Sequence, residues 1–330
     1  MNYQGKKVLV TGAAGFIGSH LTEELVKAGA EVTALVHYNS NSNIANLKYL
    51  EPHIQSSLKI VFGDITDSFL MNQLSDGKDV VFHLAALIGI PYSYVAPAAY
   101  VSANITGTLN MLEAARSQKV GKLVVTSTSE TYGTAIYAPI DEKHPMQGQS
   151  PYSATKIGAD KIAESYFLSF ALPVCIFRPF NTFGPRQSTR AVIPTIISQV
   201  LSDSKEIRLG SLDPVRDMLF VKDTARGFML AGLESKSSGE VVSVGTGRGV
   251  TIGEIVEMVQ KICGTNKPVI AQNERIRPEK SEVMKLICDY SKAKNLLGWE
   301  PLYSLELGLT EAIEFMKINK PEFDPSSYAI

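Results

Sequence analysis

The first half of the chain alternates short apolar runs with longer stretches in which apolar residues recur every three or four positions. Lys7–Val10, Glu31–Val36, Lys59–Phe62, Asp79–Leu84 and Leu123–Thr126 are brief and rich in β-branched and apolar residues, so they read as strands. Helical patterns lie between most of them. Ser19–Ala28 carries Leu21, Leu25 and Val26 as an apolar stripe, and Thr108–Gln118 reads the same way. A long helix is expected over Pro151–Phe170, with proline in its first turn, where a missing N–H does no harm. A further strand is expected over Leu172–Phe177. Strands apolar on both faces and separated by helices predict an α/β protein built on a doubly wound parallel sheet.

After Asn181 the rhythm loosens. Loops bearing arginine and proline separate helices at Val192–Leu201, Ile252–Ile262 and Ser304–Ile318, which suggests a smaller, mixed α/β unit that covers a substrate. The helix Asp223–Leu233 and the strand Val241–Val244 are expected to return to the sheet. The division that follows gives residues 1–180, with 217–245, to a dinucleotide-binding domain. Residues 181–216 and 246–330 fall to a substrate-binding domain.

Charge narrows the range of functions. Lysine and arginine number 32 against 33 aspartates and glutamates, a formal net charge of -1. The basic field that nucleic-acid binding requires is missing, so an anionic substrate must be held by a few placed arginines. Cys175, Cys263 and Cys288 form no short pairing motif, which argues against a zinc site or a disulfide framework and for a reducing compartment. The longest apolar stretch, near Val80–Ile90, contains His83 and is too short to span a bilayer; Met1–Val10 has no signal-peptide character. The expectation is a soluble cytoplasmic protein that binds neither nucleic acid, nor membrane, nor metal.

The candidate chemistry begins after the first strand, at Thr11-Gly12-Ala13-Ala14-Gly15-Phe16-Ile17-Gly18. Gly12 permits a tight turn, Gly15 lets backbone approach a pyrophosphate, and Gly18 lets helix and sheet pack closely. Phe16 and Ile17 open a helix whose amino terminus faces the phosphates, as in a Rossmann-type sheet. The end of the second strand carries no acid: Val36 is followed by His37-Tyr38-Asn39-Ser40. His37, Asn39 and Ser40 either donate to a 2′-phosphate or are ordinary polar loop residues, and the balance tips slightly to NADP over NAD. Asp64 and Ile65, after the third strand, are placed for adenine. Leu84, Ala85 and Ala86 bring small side chains to the cofactor at the end of the fourth strand.

Tyr152 and Lys156 are spaced to share one face of the long helix. A phenol with a pKa of about 10 is a poor base, and bringing it near neutrality takes about 4 kcal/mol of differential stabilisation. A lysine ammonium and the positive nicotinamide ring are candidates to supply it. Val125-Thr126-Ser127-Thr128-Ser129-Glu130 adds hydroxyls and a carboxylate at the carboxyl edge of the sheet, where open α/β sheets bind ligands.

Taken with Asn104 in Ala103-Asn104-Ile105-Thr106-Gly107 and with Arg178-Pro179-Phe180-Asn181-Thr182-Phe183-Gly184-Pro185-Arg186-Gln187, these motifs resemble the nucleotide-sugar branch of the extended short-chain dehydrogenase/reductase family. The resemblance implies a catalytic set of Thr128, Tyr152 and Lys156, a cofactor site that includes Asn104 and Pro179, and a homodimer formed through the helices Thr108–Gln118 and Pro151–Phe170. Thr128-Ser129-Glu130 is similar to the signature of 4,6-dehydratases, above all the GDP-mannose type. The dTDP-glucose type has Asp-Glu where this chain has Ser129-Glu130, which leaves open the acid for loss of the C6 hydroxyl. In such an enzyme Glu130 removes the C5 proton once C4 is a ketone.

For the substrate diphosphate the resemblance singles out Arg216 and Arg277 first, with Arg186 as an even alternative and Asn181 reaching phosphate or sugar; Arg190 is read as solvated. Tyr92 is placed in one wall of the sugar pocket. At finer grain, Tyr38-Asn39-Ser40, Ile90-Pro91-Tyr92-Ser93-Tyr94 and Asp141-Glu142-Lys143-His144-Pro145 resemble the N-acetylglucosamine 4,6-dehydratases of legionaminic-type pathways. The rivals are a UDP-glucuronate decarboxylase, a nucleotide-sugar 4-epimerase and, in a different class, a cofactor-binding regulator without turnover.

Overall fold

The computed structural model describes residues 1–272 and 281–319. Its centre is a seven-stranded parallel sheet of β1 (Lys7–Thr11), β2 (Glu31–His37), β3 (Lys59–Gly63), β4 (Val80–His83), β5 (Lys122–Thr126), β6 (Val174–Pro179) and β7 (Val241–Val244). Their spatial order is β7-β6-β5-β4-β1-β2-β3. The order reverses between β1 and β4, so a crevice opens there at the carboxyl ends of the strands.

Side chains alternate along each strand and divide the core into two layers. Val8 and Val10 of β1 face α1 (Phe16–Lys27), with Leu21 and Leu25 buried beside them. Leu9 faces the other way, into a layer with Met71 and Leu74 of α2 (Ser68–Ser75), Met111 and Leu112 of α3 (Gly107–Ser117), and Ala163 of α4 (Pro151–Phe170). A third core joins α5 (Val192–Leu201), α7 (Ile252–Cys263) and α8 (Leu305–Asn319) through Ile196, Ile255 and Ile313. Between α5 and α7 the chain makes α6 (Val221–Leu233), which goes back to the first layer and sets Phe228 against Phe177 at 4.3 Å and Phe82 at 6.3 Å between ring centroids. Phe16 and Ile17 touch the third core from α1, so the glycine loop sits where the cores meet.

Several boundaries move for local reasons. The first helix starts at Phe16 because Gly15, extended at φ -73°, already serves as its cap. Strand β6 starts at Val174 because Pro173 has no N–H for the ladder. Ser150 and Ser153 form a reciprocal capping box that fixes the start of α4. A π-helical turn, Val101–Thr106, leads into α3, and apolar periodicity gave no sign of it. Among the described residues no helix is long and apolar enough to cross a membrane.

Phe228→Ala should destabilise the protein by about 3–5 kcal/mol, since it opens a cavity against the Phe82 and Phe177 rings. Phe69→Ala, at a side chain 88% exposed, should stay within about 0.5 kcal/mol of the parent. Urea unfolding of both variants tests whether α6 is integral to the central core.

Candidate active site

The glycine loop is built by close approaches. Gly12 has φ +68°, and a Cβ there would lie 2.8 Å from the Ala85 nitrogen on the loop after β4. A Cβ on Gly18 would lie 2.1 Å from the Gly12 carbonyl oxygen, so α1 reaches the loop only with glycine at this position. Gly15 caps α1 without a side chain, and the first turn holds no acid. Its leading N–H groups therefore lack intrahelical partners and meet an electropositive helix end, which suits a diphosphate. Thr126 Oγ1, buried and without a partner at the end of β5, is a further polar atom at the mouth of the crevice. These residues fit a dinucleotide.

At the ribose end, spatial proximity changes the sequence reading. His37 closes β2 opposite Gly63, and its Nε2 lies 3.2 Å from the Asp64 carboxylate. The acid missing from β2 is thus supplied by the loop after β3. Asn39 donates to the His37 and Asn43 carbonyls at 3.2 and 3.0 Å and accepts from the Asn43 N–H at 2.7 Å. Its amide closes the loop, with both N–H groups given to backbone carbonyls. Ser40 is exposed on the same loop. Ile65 is buried in the layer beneath α3, with its side chain against Gly107. Leu84, Ala85 and Ala86 are half-buried just beyond β4, while Pro179 ends β6 in full burial.

Asn104 acts on the protein's own backbone. Its Nδ2 donates to the Leu87 carbonyl at 3.0 Å and to Thr155 Oγ1 at 3.1 Å, and its Oδ1 accepts from the Leu87 N–H at 2.8 Å. It pins the loop after β4 to α4. His83, which the sequence presented only as a polar interruption, sits between Thr11 Oγ1 at 2.9 Å and Thr108 Oγ1 at 3.2 Å. Burial and the Lys156 charge push its pKa down to about 3, so it works as a neutral strut.

The catalytic candidates converge at the end of β5. Tyr152 is buried with its ring edge-on to Tyr100 at 6.3 Å, and the Thr128 side chain lies beside its phenol. Thr128 also caps the short turn Ser129–Tyr132, accepting the Glu130 N–H at 3.3 Å. That turn leaves Ser129 buried and brings the half-buried Glu130 within electrostatic reach of the Tyr152 phenol. Lys156 donates to the Thr126 carbonyl at 2.6 Å. Burial pushes the Tyr152 pKa well above its ordinary value; the Thr128 hydroxyl opposes this, and the charges of Glu130 and Asp160 add to it. The lowering expected from the Tyr-Lys pairing is therefore not achieved by the chain alone.

On the substrate side, Asn181 opens the short strand Asn181–Phe183, and its buried Oδ1 has no partner. Tyr92 stacks obliquely on Tyr100 at 6.1 Å and so continues the aromatic series to Tyr152. Arg216 is nearly buried, with Nη2 3.2 Å from Glu282. The adjacent Asp217 fixes the surrounding turns by accepting the Thr246, Gly247 and Cys288 N–H groups. Arg186 sets Nη2 2.6 Å from Glu23, an ion pair that links its loop to α1, while its buried Nη1 has no partner. Arg190, read as solvated, is exposed, yet its charge acts on the Tyr100 phenol. Arg277 lies outside the described residues.

The sequence profile of GDP-mannose 4,6-dehydratases matches residues 9–312. A dTDP-glucose 4,6-dehydratase from Actinoplanes is 32% identical over 321 residues, covering 95% of this chain and 98% of the relative. The structure of Pal from Bacillus thuringiensis superposes with a TM-score of 0.85 at 34% identity, over 94% of this chain and 99% of Pal. A UDP-glucuronic acid 4-epimerase from Bacillus cereus, in complex with UDP-glucuronic acid and NAD, superposes with a TM-score of 0.86 at 32% identity over the same shares of the two chains. Site and comparisons agree on one lineage: the chain belongs to the GDP-mannose 4,6-dehydratase family, in the nucleotide-sugar branch of the extended short-chain dehydrogenases/reductases.

Proposed function

We propose that the protein is a nucleotide-sugar 4,6-dehydratase that converts an NDP-hexose, at the finest grain NDP-N-acetylglucosamine, into the 4-keto-6-deoxy sugar. One observation carries the reading: Glu130 is held by the Thr128-capped turn within electrostatic reach of the Tyr152 phenol. An epimerase needs the tyrosine but has no use for a second base beside it. When bound, the nicotinamide supplies a reversible hydride acceptor. Tyr152 takes the proton of the sugar 4-hydroxyl as hydride leaves C4, with Thr128 orienting the phenol and Lys156 providing positive charge. The ketone acidifies C5–H, Glu130 removes that proton, and the C6 hydroxyl leaves as water, protonated by Glu130 or a bound water. A hydride at C6 and a proton at C5, from Glu130 recharged by solvent, would complete the product, while Tyr152 passes its proton to solvent. Arg216, Arg277 and Asn181 hold the diphosphate and sugar, and Tyr92 walls the pocket. Residues 1–180 with 217–245 serve the cofactor, and the remainder covers the substrate.

A panel of UDP-N-acetylglucosamine, GDP-mannose and UDP-glucuronate, read by mass spectrometry, separates the readings. Loss of water supports the dehydratase, loss of carbon dioxide a decarboxylase, and no mass change with altered sugar stereochemistry an epimerase. Glu130→Gln should abolish dehydration yet still form reduced nicotinamide on mixing with substrate. Tyr152→Phe should lower both by about 10²–10⁴-fold. Undiminished dehydration in Glu130→Gln removes that residue from the mechanism.

For the cofactor, Asp64 takes away the reason to favour NADP, because its carboxylate at His37 opposes a 2′-phosphate. NADH should bind more tightly than NADPH by about tenfold, equivalent to about 1.4 kcal/mol, and Asp64→Asn should narrow the gap; fluorescence titration measures both. A homodimer through α3 and α4 is supported by Leu109, Leu168 and Phe170, exposed on those helices at 37%, 75% and 51%. Light scattering should give twice the chain mass, falling to a monomer in Leu168→Asp. Three free cysteines suit a cytoplasmic home.

A further inference from the structure

Beyond Lys156, on the same face of α4, lies a buried ion pair that the proposed chemistry does not use. Asp160, one turn beyond Lys156, accepts from Arg178 Nη2 at 2.7 Å and from the Ser127 hydroxyl at 2.6 Å. Arg178, on β6, is wholly buried; it also donates to Ser127 Oγ at 3.2 Å and to the Tyr132 hydroxyl, and stacks on the Tyr132 ring at 4.6 Å. Asp160 is 1% exposed, and its other oxygen, Oδ1, is buried without a hydrogen-bond partner. A buried ion pair is poor value for stability alone, because desolvation offsets most of its Coulomb gain and an apolar pair can replace it. A half-satisfied carboxylate is worse. Its position suggests another role, since the third buried charge in this cluster is the Lys156 ammonium.

We infer that Asp160 is a positioning residue: clamped by Arg178 and Ser127, its carboxylate keeps the Lys156 ammonium charged and seated on the Thr126 carbonyl, beside the phenol that must lose its proton. The inference rests on the C4 oxidation proposed above. Lys156 is faced on its own helix by Asp160 and Tyr152, from β6 by Arg178, from β4 by the neutral His83, and at the end of β5 by the Thr126 carbonyl. Glu130 reaches it only through Tyr152, and Glu142 acts on Arg178 from behind. Burial pulls the Lys156 pKa below its ordinary value, Arg178 adds to that pull, and Asp160 opposes it. The two members of one ion pair thus push Lys156 in opposite directions. Removing the Asp160 charge lets Lys156 deprotonate at lower pH; removing the Arg178 charge delays its deprotonation to higher pH.

The test is the pH dependence of kcat/KM for nicotinamide reduction by the NAD-loaded enzyme with UDP-N-acetylglucosamine. Asp160→Asn should move the alkaline limb about one pH unit towards acid, and Arg178→Met should move it about as far towards alkali. The double variant should fall between them, near the parent. Both single variants break the same contact, so a merely structural pair would shift both limbs the same way or neither, and either result overturns the inference. If Asp160→Asn does not fold, the double variant is compared with Arg178→Met alone: a limb displaced to the acid side supports the inference, and coincident limbs overturn it. If the parent oxidises no nucleotide sugar, the functional reading fails separately. The inference is then judged without substrate, by NMR titration of the Lys156 ammonium in lysine-labelled, NAD-bound protein, assigned with Lys156→Met. Asp160→Asn should lower the Lys156 midpoint and Arg178→Met should raise it; midpoints that stay in place or move together overturn the role.

Discussion

The site depends on the helical repeat of α4 held against the end of β5. A period of 3.6 residues lays Tyr152, Lys156 and Asp160 along one face, and the capping box at Ser150 and Ser153 fixes where that face begins. Lys156 on the Thr126 carbonyl and Asp160 on Ser127 and Arg178 tie the helix to the end of the sheet, and Asn104 ties Thr155 to the loop after β4. With this helix fixed, the Thr128-capped turn can bring a carboxylate to the phenol from only one direction. Moving α4 by a single residue would turn all three side chains by about 100° and scatter the site.

The electrostatics of this arrangement bear directly on the proposed chemistry. Burial holds the Tyr152 proton firmly, and the nearby negative charges of Glu130 and Asp160 strengthen that hold. On burial and these charges alone the phenol is a poor base. In the proposed reaction, a positive nicotinamide bound beside it would add to the Lys156 charge in favour of the phenolate.

The fold was legible because its signal is local. β-branched runs marked the strands, stripes such as Leu21 and Leu25 marked the helices, and Gly12, Gly15 and Gly18 marked the loop between them. Tyr152, Lys156 and Glu130 were legible through their spacing and their place at strand ends. What the sequence hid depends on contacts between distant segments. Asp64 meets His37 only because β3 lies beside β2 in register. Arg186 meets Glu23, more than a hundred residues earlier. The ion pair of Asp160 with Arg178 joins a helix to a strand, and no periodicity announces it. The π-helical turn before α3 places Asn104 by hydrogen-bonding geometry, to which apolar patterning is blind.

The return of the chain through α6 and β7 bears on how the protein is made. Strand β6 is an open edge until Val241–Val244 arrive to pair with it, and Phe82 and Phe177 lack the cover of Phe228 until α6 has been synthesised. On the ribosome, the nucleotide-binding half cannot close as soon as its own strands have emerged. It must wait while the segment containing α5 is translated, with an unpaired strand and bare aromatic rings exposed to neighbouring chains. A fragment cut after β6 would keep that adhesive edge permanently, so the two halves of this enzyme share a single folding fate.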